Sequence, residues 1–480
     1  MVEISLSGSG EGPGGAIPRG YSTIFRIGQK AGMKLAVLPR LYRPLKSELP
    51  SDPLRERIAA AVELCAVKML DPALLEAIGE DMGLVQKKRV HHAGLVVCAV
   101  ILSAFQRSTD TQGRWLDAQR TYEAIGGPRA SRESFHKQVV KLAPLLQALV
   151  RRRFDDMTAR ASRNHLRGRL AHFADVLIPD GCGFKLAKAL SGVYTGTGVP
   201  AQMKLHAVYS VAAGDCVTAK ATAGSVHDSD EFWPEWESGA LYLWDLGYQG
   251  VDRFVDAALS GAHVLQRLKD NHNPKILASY GPTGARRAID DGAGGSVRIE
   301  EALAIGLVHK RAVLDLDVRL VDRDWGELVA RVVCVPFEGE DRYYLTTLSR
   351  EIFTPLDVAE LYRIRWEAEL LFRGWKGAMR LDEVRRLRTQ AALEAAVSAS
   401  LLAASLSRDL AYEIDHLTNE GIDTAPDGAF SPSAARSPSA APGRIRRSTP
   451  ARRPDTLRDR AATRPRAPVL PGHDPRDWTR

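Results

Sequence analysis

The chain has 480 residues, 45% hydrophobic and 26% charged, an ordinary globular composition with length for two or three domains and a sizeable core. Its net charge of +8 is uneven: from His416 onward 12 Arg face 7 acidic residues and supply five of those charges, so a polyanionic partner has to be argued from local basic clusters. Cys65, Cys98, Cys182, Cys216 and Cys334 show no paired spacing, which speaks against a zinc site or disulfide framework and fits a reducing, cytoplasmic compartment.

Residues 1–20 are Gly- and Ser-rich, read as flexible, and lack the charged start and apolar run of a signal peptide. Residues 21–165 read as helical, with Ile58, Val62, Leu64, Val67 and Leu70 at helix-like spacing. The apolar run 93–105 is shorter than the ~20 residues a membrane span needs, so no membrane partner is expected. After the turn at Gly126-Gly127-Pro128, Ser131 is placed to cap a helix carrying Phe135, Val139, Leu142, Leu146 and Leu149. Basic clusters at Lys87-Lys88-Arg89 and Arg151-Arg152-Arg153 make this region a candidate DNA-binding domain, by base reading or by phosphate contact. A packing hairpin would show the same pattern.

From Ala174 short apolar strands appear. Residues 174–180 end a strand at Asp180, 204–211 and 216–224 form two more around a turn at Gly214-Asp215, and a helical stretch runs 228–236. A further strand ends at Asp245, followed by a helix over 251–259 and a strand over 263–269. This is the running order of an α/β, ribonuclease-H-like core, in which acids at the ends of the first and fourth strands lie side by side. Residues 271–344 begin with loop-like glycines and continue with alternating strands over 312–322, 327–337 and 342–348, a β-rich insertion. The alternative is that these strands extend the central sheet.

The stretch 361–384 places Tyr362, Arg365, Glu369 and Lys376 at i, i+3, i+7 and i+14. At about 100° per residue they share a sector of roughly 60° on one continuous helix. Leu361, Ile364, Leu371, Trp375 and Met379 form the opposite, apolar stripe. A solvated face of an amphipathic helix would look similar. Residues 391–410 form another helix, and the core is expected to span 166–270 and 345–415. The remainder, 416–480, is Arg- and Pro-rich without Lys or apolar periodicity and is expected to be disordered. Its Arg-Pro-Ala bias is what out-of-frame reading of a GC-rich gene would give, so a frameshift or fusion replacing the native terminus is a hypothesis. Comparing the gene's three reading frames tests it.

Asp180, Asp245 and Glu369 thus come from two strand ends and one helix, the way a divalent-metal site is assembled from distant sequence. Mg²⁺ prefers such hard oxygens and keeps several waters. Clustered carboxylates repel without metal, so the site without its ion is expected to be poorly ordered or to show raised carboxylate pKa values. Trp244 is a core residue by pattern, with support of a displaced base as the alternative. His172, His206 and His227 flank the strands and read as structural rather than ligating.

The spacing Y-(2)-R-(3)-E-(6)-K resembles the signature of bacterial insertion-sequence transposases of the DDE type, in the insertion-sequence-four family. Asp245-Leu246-Gly247-Tyr248 resembles that family's second-aspartate motif, and Asp180-Gly181 its first, although Cys182 and Gly183 stand where Ser or Thr is commoner. The resemblance covers about residues 130–410. It implies catalysis and metal binding by Asp180, Asp245 and Glu369, with Mg²⁺, two ions, and Mn²⁺ as substitute. It further implies DNA contacts by Tyr362, Arg365 and Lys376, assisted by Arg373. Double-stranded DNA (terminal inverted repeats and target) would be the partner, and a dimer the working form. A ribonuclease-H-like nuclease without transposition, or an inactive DNA-binding relic, are the other readings.

Overall fold

In a computed structural model of the chain the described residues are 70–85, 91–105, 113–228, 235–248, 250–269, 272–281, 284–289, 297–322 and 326–419. The expectations for residues 1–69, for Lys87-Lys88-Arg89, for most of the 228–236 stretch and for the tail beyond 419 lie outside them. The chain divides into two compact units, between His136 and Lys137 and again between Ser405 and Leu406.

In the first unit α1 (Pro72–Asp81) is started by Asp71, whose carboxylate accepts from the Ala73 amide, with proline in the first turn. The helix α2 (Ala93–Ser103) is apolar on all sides and almost wholly buried, as such a helix must be. Gly94 lets it approach α1, since a Cβ there would lie 1.9 Å from the Pro72 carbonyl. The third helix, α3 (Arg114–Ala124), brings Tyr122 onto Phe135, ring centroids 5.4 Å apart. His91 lies 3.3 Å from the Tyr122 hydroxyl and 3.0 Å from that of Ser134. Ser131 accepts from the Ser134 amide at the start of α4 (Arg132–Lys141), the cap its sequence position implies.

In the second unit α5 (Ala143–Arg163) packs on the sheet at β3. The early strands are β1 (Val176–Lys185), β2 (Gln202–Ser210), β3 (Asp215–Ala223) and β4 (Leu241–Trp244). Next come α6 (Val251–Leu259) and β5 (His263–Arg267), then β6 (Lys275–Tyr280), β7 (Arg286–Ala288), β8 (Val297–Arg298) and α7 (Ile299–Ala304). The later strands are β9 (Leu314–Asp322), β10 (Gly326–Phe337) and β11 (Glu340–Thr346). They form one eleven-stranded sheet in the order β3-β2-β1-β4-β5-β11-β10-β9-β6-β7, with β8 beside β6. The first three strands run antiparallel, and β1, β4 and β5 run parallel. This mixed α/β arrangement fits a ribonuclease-H-like core.

The strands between the second aspartate and the glutamate do not form a separate sheet. β11 pairs with β5, Tyr344 opposite Arg267, so the inserted strands extend the central sheet. The hairpin from β10 to β11 turns on Glu338 and Gly339, both with positive φ, as a two-residue turn between twisted strands demands. β6, β7, β8 and α7 fall in the part read as loop. They run from two to six residues, too brief for periodicity to register.

The stretch expected to be one helix is broken into pieces. α8 (Pro355–Arg363) begins at a reciprocal cap between Thr354 and Asp357. It gives way at Ile364 and Arg365 to α9 (Trp366–Arg373), then to a π-helical turn (Gly374–Ala378) and a 3-10 turn (Leu381–Arg386). Arg380, between these turns, has φ +60°. The last helix is α10 (Gln390–Asn419). By length and composition its Gln390–Leu410 part is the one described helix able to cross a membrane, and 78% of that window is buried.

Candidate active site

β1 and β4 run parallel with Val176 beside Leu241 and Leu177 beside Tyr242. Carried three residues further, that register sets Asp180 level with Asp245. Asp180 does not end its strand as expected: β1 continues to Lys185, and it is the shorter neighbour β4 that stops, at Trp244. Asp245 is the residue that follows. Both carboxylates thus stand where the sheet loses a strand.

Glu369 reaches this place from α9, through Arg365. One guanidinium nitrogen, Nη1, lies 3.4 Å from Asp180 Oδ2, and the other, Nη2, lies 2.5 Å from Glu369 Oε1. The Arg365 side chain is 15% exposed, and its Nε is buried without a hydrogen-bond partner. Burial raises the Asp180 carboxyl to about 6, against the Gly181 amide, which donates to it at 2.7 Å, and against Arg365; the charges of Asp245 and Glu369 push in the same direction as burial. The raised value has the expected direction, but burial is its main cause and the neighbouring acids add to it. Burial works against the charge on Arg365, yet its pKa is raised, through Tyr362, Asp245, Glu369 and Asp180.

The three acids are hard-oxygen donors already in electrostatic reach of one another, which suits a divalent cation. They do not close around a point, however. Among the described residues no three His, Cys, Asp or Glu side chains form a metal-holding cluster, and a guanidinium stands between Asp180 and Glu369. The donor chemistry therefore fits a metal, and Arg365 contacts two of the three acids.

The remaining signature residues part company, because the helix break and the π-helical turn change their phase. Tyr362 is buried, and its hydroxyl donates to the Trp244 carbonyl at 3.1 Å. Arg365 faces the acids rather than solvent. Lys376 is exposed, with Nζ 5.6 Å from the centre of the Phe184 ring, four positions beyond Asp180 on the same face of β1. Arg373 is also exposed and lies 5.6 Å over the Trp366 ring. Trp244 is fully buried, tilted against Trp236 with centroids 5.6 Å apart, and so is a core residue.

A further cluster escapes the sequence pattern. Asp228 sits between Lys204 Nζ (2.8 Å) and His206 Nδ1 (3.2 Å), against the opposite face of β1 at Gly181. Burial opposes its ionisation, but the His206 and Lys204 contacts outweigh burial and lower its pKa. His206 also meets Thr222 Oγ1 at 2.9 Å through Nε2. The signal available is the two-residue spacing of Lys204 and His206 on one strand, which puts both on one face. His172 packs edge-on to Phe353.

Residues 171–406 match the family described as the transposase DDE domain. The chain is 23% identical over 379 residues to the transposase for insertion sequence element IS231B of Bacillus thuringiensis subsp. berliner, covering 71% of this chain and 77% of that one. The transposase for IS231C of the same subspecies is 21% identical over 392 residues, 72% and 79% of the two chains. The transposase for IS1151 of Clostridium perfringens is 21% identical over 260 residues, 46% and 53%. Among solved structures, the piggyBac transposase synaptic complex with hairpin DNA superposes with a TM-score of 0.34 at 9% identity, over 76% and 82% of the chains, too loosely to bear on the fold. Matches to the DDE domain and to insertion-sequence transposases over most of their length agree in one conclusion: the chain belongs to the DDE transposases of bacterial insertion sequences, enzymes acting on DNA.

Proposed function

We propose that this transposase, of the insertion-sequence-four group, cuts double-stranded DNA at the ends of its own element and joins the exposed 3′-hydroxyl to target DNA. Asp180, Asp245 and Glu369 are the residues that would hold the divalent metal, two Mg²⁺ ions with Mn²⁺ as substitute. When bound, such ions activate the attacking oxygen and stabilise the leaving one in an in-line displacement. The observation that carries the reading is that Asp245 follows directly on β4, the parallel neighbour of the β1 strand that bears Asp180, with Glu369 joined to Asp180 through one arginine.

The chain's own residues supply the rest. Asp180 is oriented by the Gly181 amide, and Asp245 by a strand that Tyr362 ties to the end of α8. Lys376 and Arg373, exposed beside the site, offer a point charge and a planar fork to phosphate oxygens. The helical N-terminal region is assigned to holding the element ends, through bases or phosphates. Two ends must be held at once, so the working form is a dimer on DNA, in the bacterial cytoplasm with the nucleoid.

The test is cleavage of DNA carrying the element's ends with Mg²⁺ or Mn²⁺, for wild type and Glu369→Gln. End-specific cuts lost in the variant are expected. Cuts without end preference would point to a general nuclease, and binding without cuts to an inactive copy.

A further inference from the structure

The position of Arg365 has a consequence for how the site is loaded. Its two terminal nitrogens engage one oxygen of Asp180 and one of Glu369, at 3.4 and 2.5 Å. The two acids are therefore already bridged by a cation, and by one that never loses its proton. A hard divalent ion held by Asp180 and Glu369 would draw on the same two carboxylates and so compete with the guanidinium for them. The two cations would compete for one pair of carboxylates.

We propose that Arg365 is a latch on the metal site: in the metal-free enzyme it holds Asp180 and Glu369 in the cation's place, and it must swing away when a divalent ion enters. This rests on the reading of the three acids as metal ligands. Three features suit Arg365 to the movement. It occupies the break between α8 and α9, so rotation of its side chain disturbs no helix interior. Its Nε is buried and makes no hydrogen bond, so the hydrogen bonds holding the head are those to the two acids. Glu369, its closer partner, is the more exposed of the two acids, at 34% against 17% for Asp180, so the latch opens on the solvent side.

The released guanidinium stays charged and is then free to grip a phosphate, a task open also to the exposed Lys376 and Arg373. Metal entry and DNA grip are thereby coupled: a group that neutralises the acids in the empty site becomes a DNA contact in the loaded one.

The experiment is Mn²⁺ binding to the full chain without DNA, read by electron paramagnetic resonance of free Mn²⁺, for wild type, Arg365→Ala, Arg365→Gln and Glu369→Gln. Circular dichroism melts without metal are run on the same samples. Removing a competitor should tighten Mn²⁺ binding by about tenfold in both Arg365 variants while lowering their metal-free melting temperature. Should metal-free Arg365→Ala be unfolded, Arg365→Gln carries the comparison, and refolding of the alanine variant by added Mn²⁺ is the expected companion result. Equal or weaker Mn²⁺ binding by the Arg365 variants, with binding lost in Glu369→Gln, would overturn the latch and leave the metal reading standing. Unchanged binding in Glu369→Gln would overturn both.

Discussion

The hydroxyl of Tyr362 donates to the main-chain carbonyl of Trp244 at 3.1 Å, and so ties the end of α8 to the strand that delivers Asp245. Both residues are buried. Tyr362→Phe strands a buried carbonyl and is expected to cost about 1–2 kcal/mol, with reduced end cleavage and little change in affinity for end DNA. Thermal unfolding and gel-shift titration separate the two effects. Lost affinity at full stability would put Tyr362 on the DNA instead.

The Asp180 carboxyl moves from 3.8 to about 6 on folding, chiefly through burial. Between these values the folded chain keeps a proton that the unfolded chain releases. Its contribution to stability is whole below about pH 4 and is lost as pH rises through about 6, a swing of at most about 3 kcal/mol. Metal-free Asp180→Asn, which cannot ionise there, should outlast wild type in urea at about pH 7.5 and match it near pH 4. Equal midpoints at both pH values would refute the assignment.

A methyl group on Gly181 would lie 2.4 Å from Asp228 Oδ1, a carboxylate held in place by Lys204 and His206. Gly181→Ala should therefore cost about 1–3 kcal/mol and displace the amide that orients Asp180. Gly192→Ala is the control, since its added carbon meets nothing within 4 Å. Loss of end cleavage at Gly181 but not at Gly192 is the expected contrast.

The extended part of the sheet has its own anchor. Arg331, buried in β10, makes paired bonds of 2.9 and 2.7 Å to Asp315 of β9 and caps the carbonyls of Leu348 and Phe353. Asp315→Ala leaves that guanidinium without its carboxylate and should cost about 3–5 kcal/mol in urea unfolding. Arg331→Met combined with Asp315→Ala should recover much of the loss, because no buried charge then stands alone.

Several elements are legible in the residue pattern alone. Alternating residues announce β2, β3, β9 and β10, and Ser131 marks the start of α4 where its hydroxyl accepts the Ser134 amide. Elements as short as β7 and β8 are not legible, since two or three residues carry no period. The spacing of Tyr362, Arg365, Glu369 and Lys376 is readable, but its projection onto one straight helix is not sound. The turn at Arg365 and the π-helical turn at Gly374–Ala378 break the regular rotation on which that projection depends.

Local sequence supplies the residues proposed for the chemistry: two aspartates beside apolar strands and a glutamate among cations on an amphipathic stretch. Each is a property of residues a few positions apart. Long-range packing settles the rest: the inserted strands join the central sheet through β5 and β11, Tyr362 is buried on Trp244, and Arg365 stands between Asp180 and Glu369. Strand pairing and charge contact join residues far apart along the chain, where local periodicity says nothing about which partner wins.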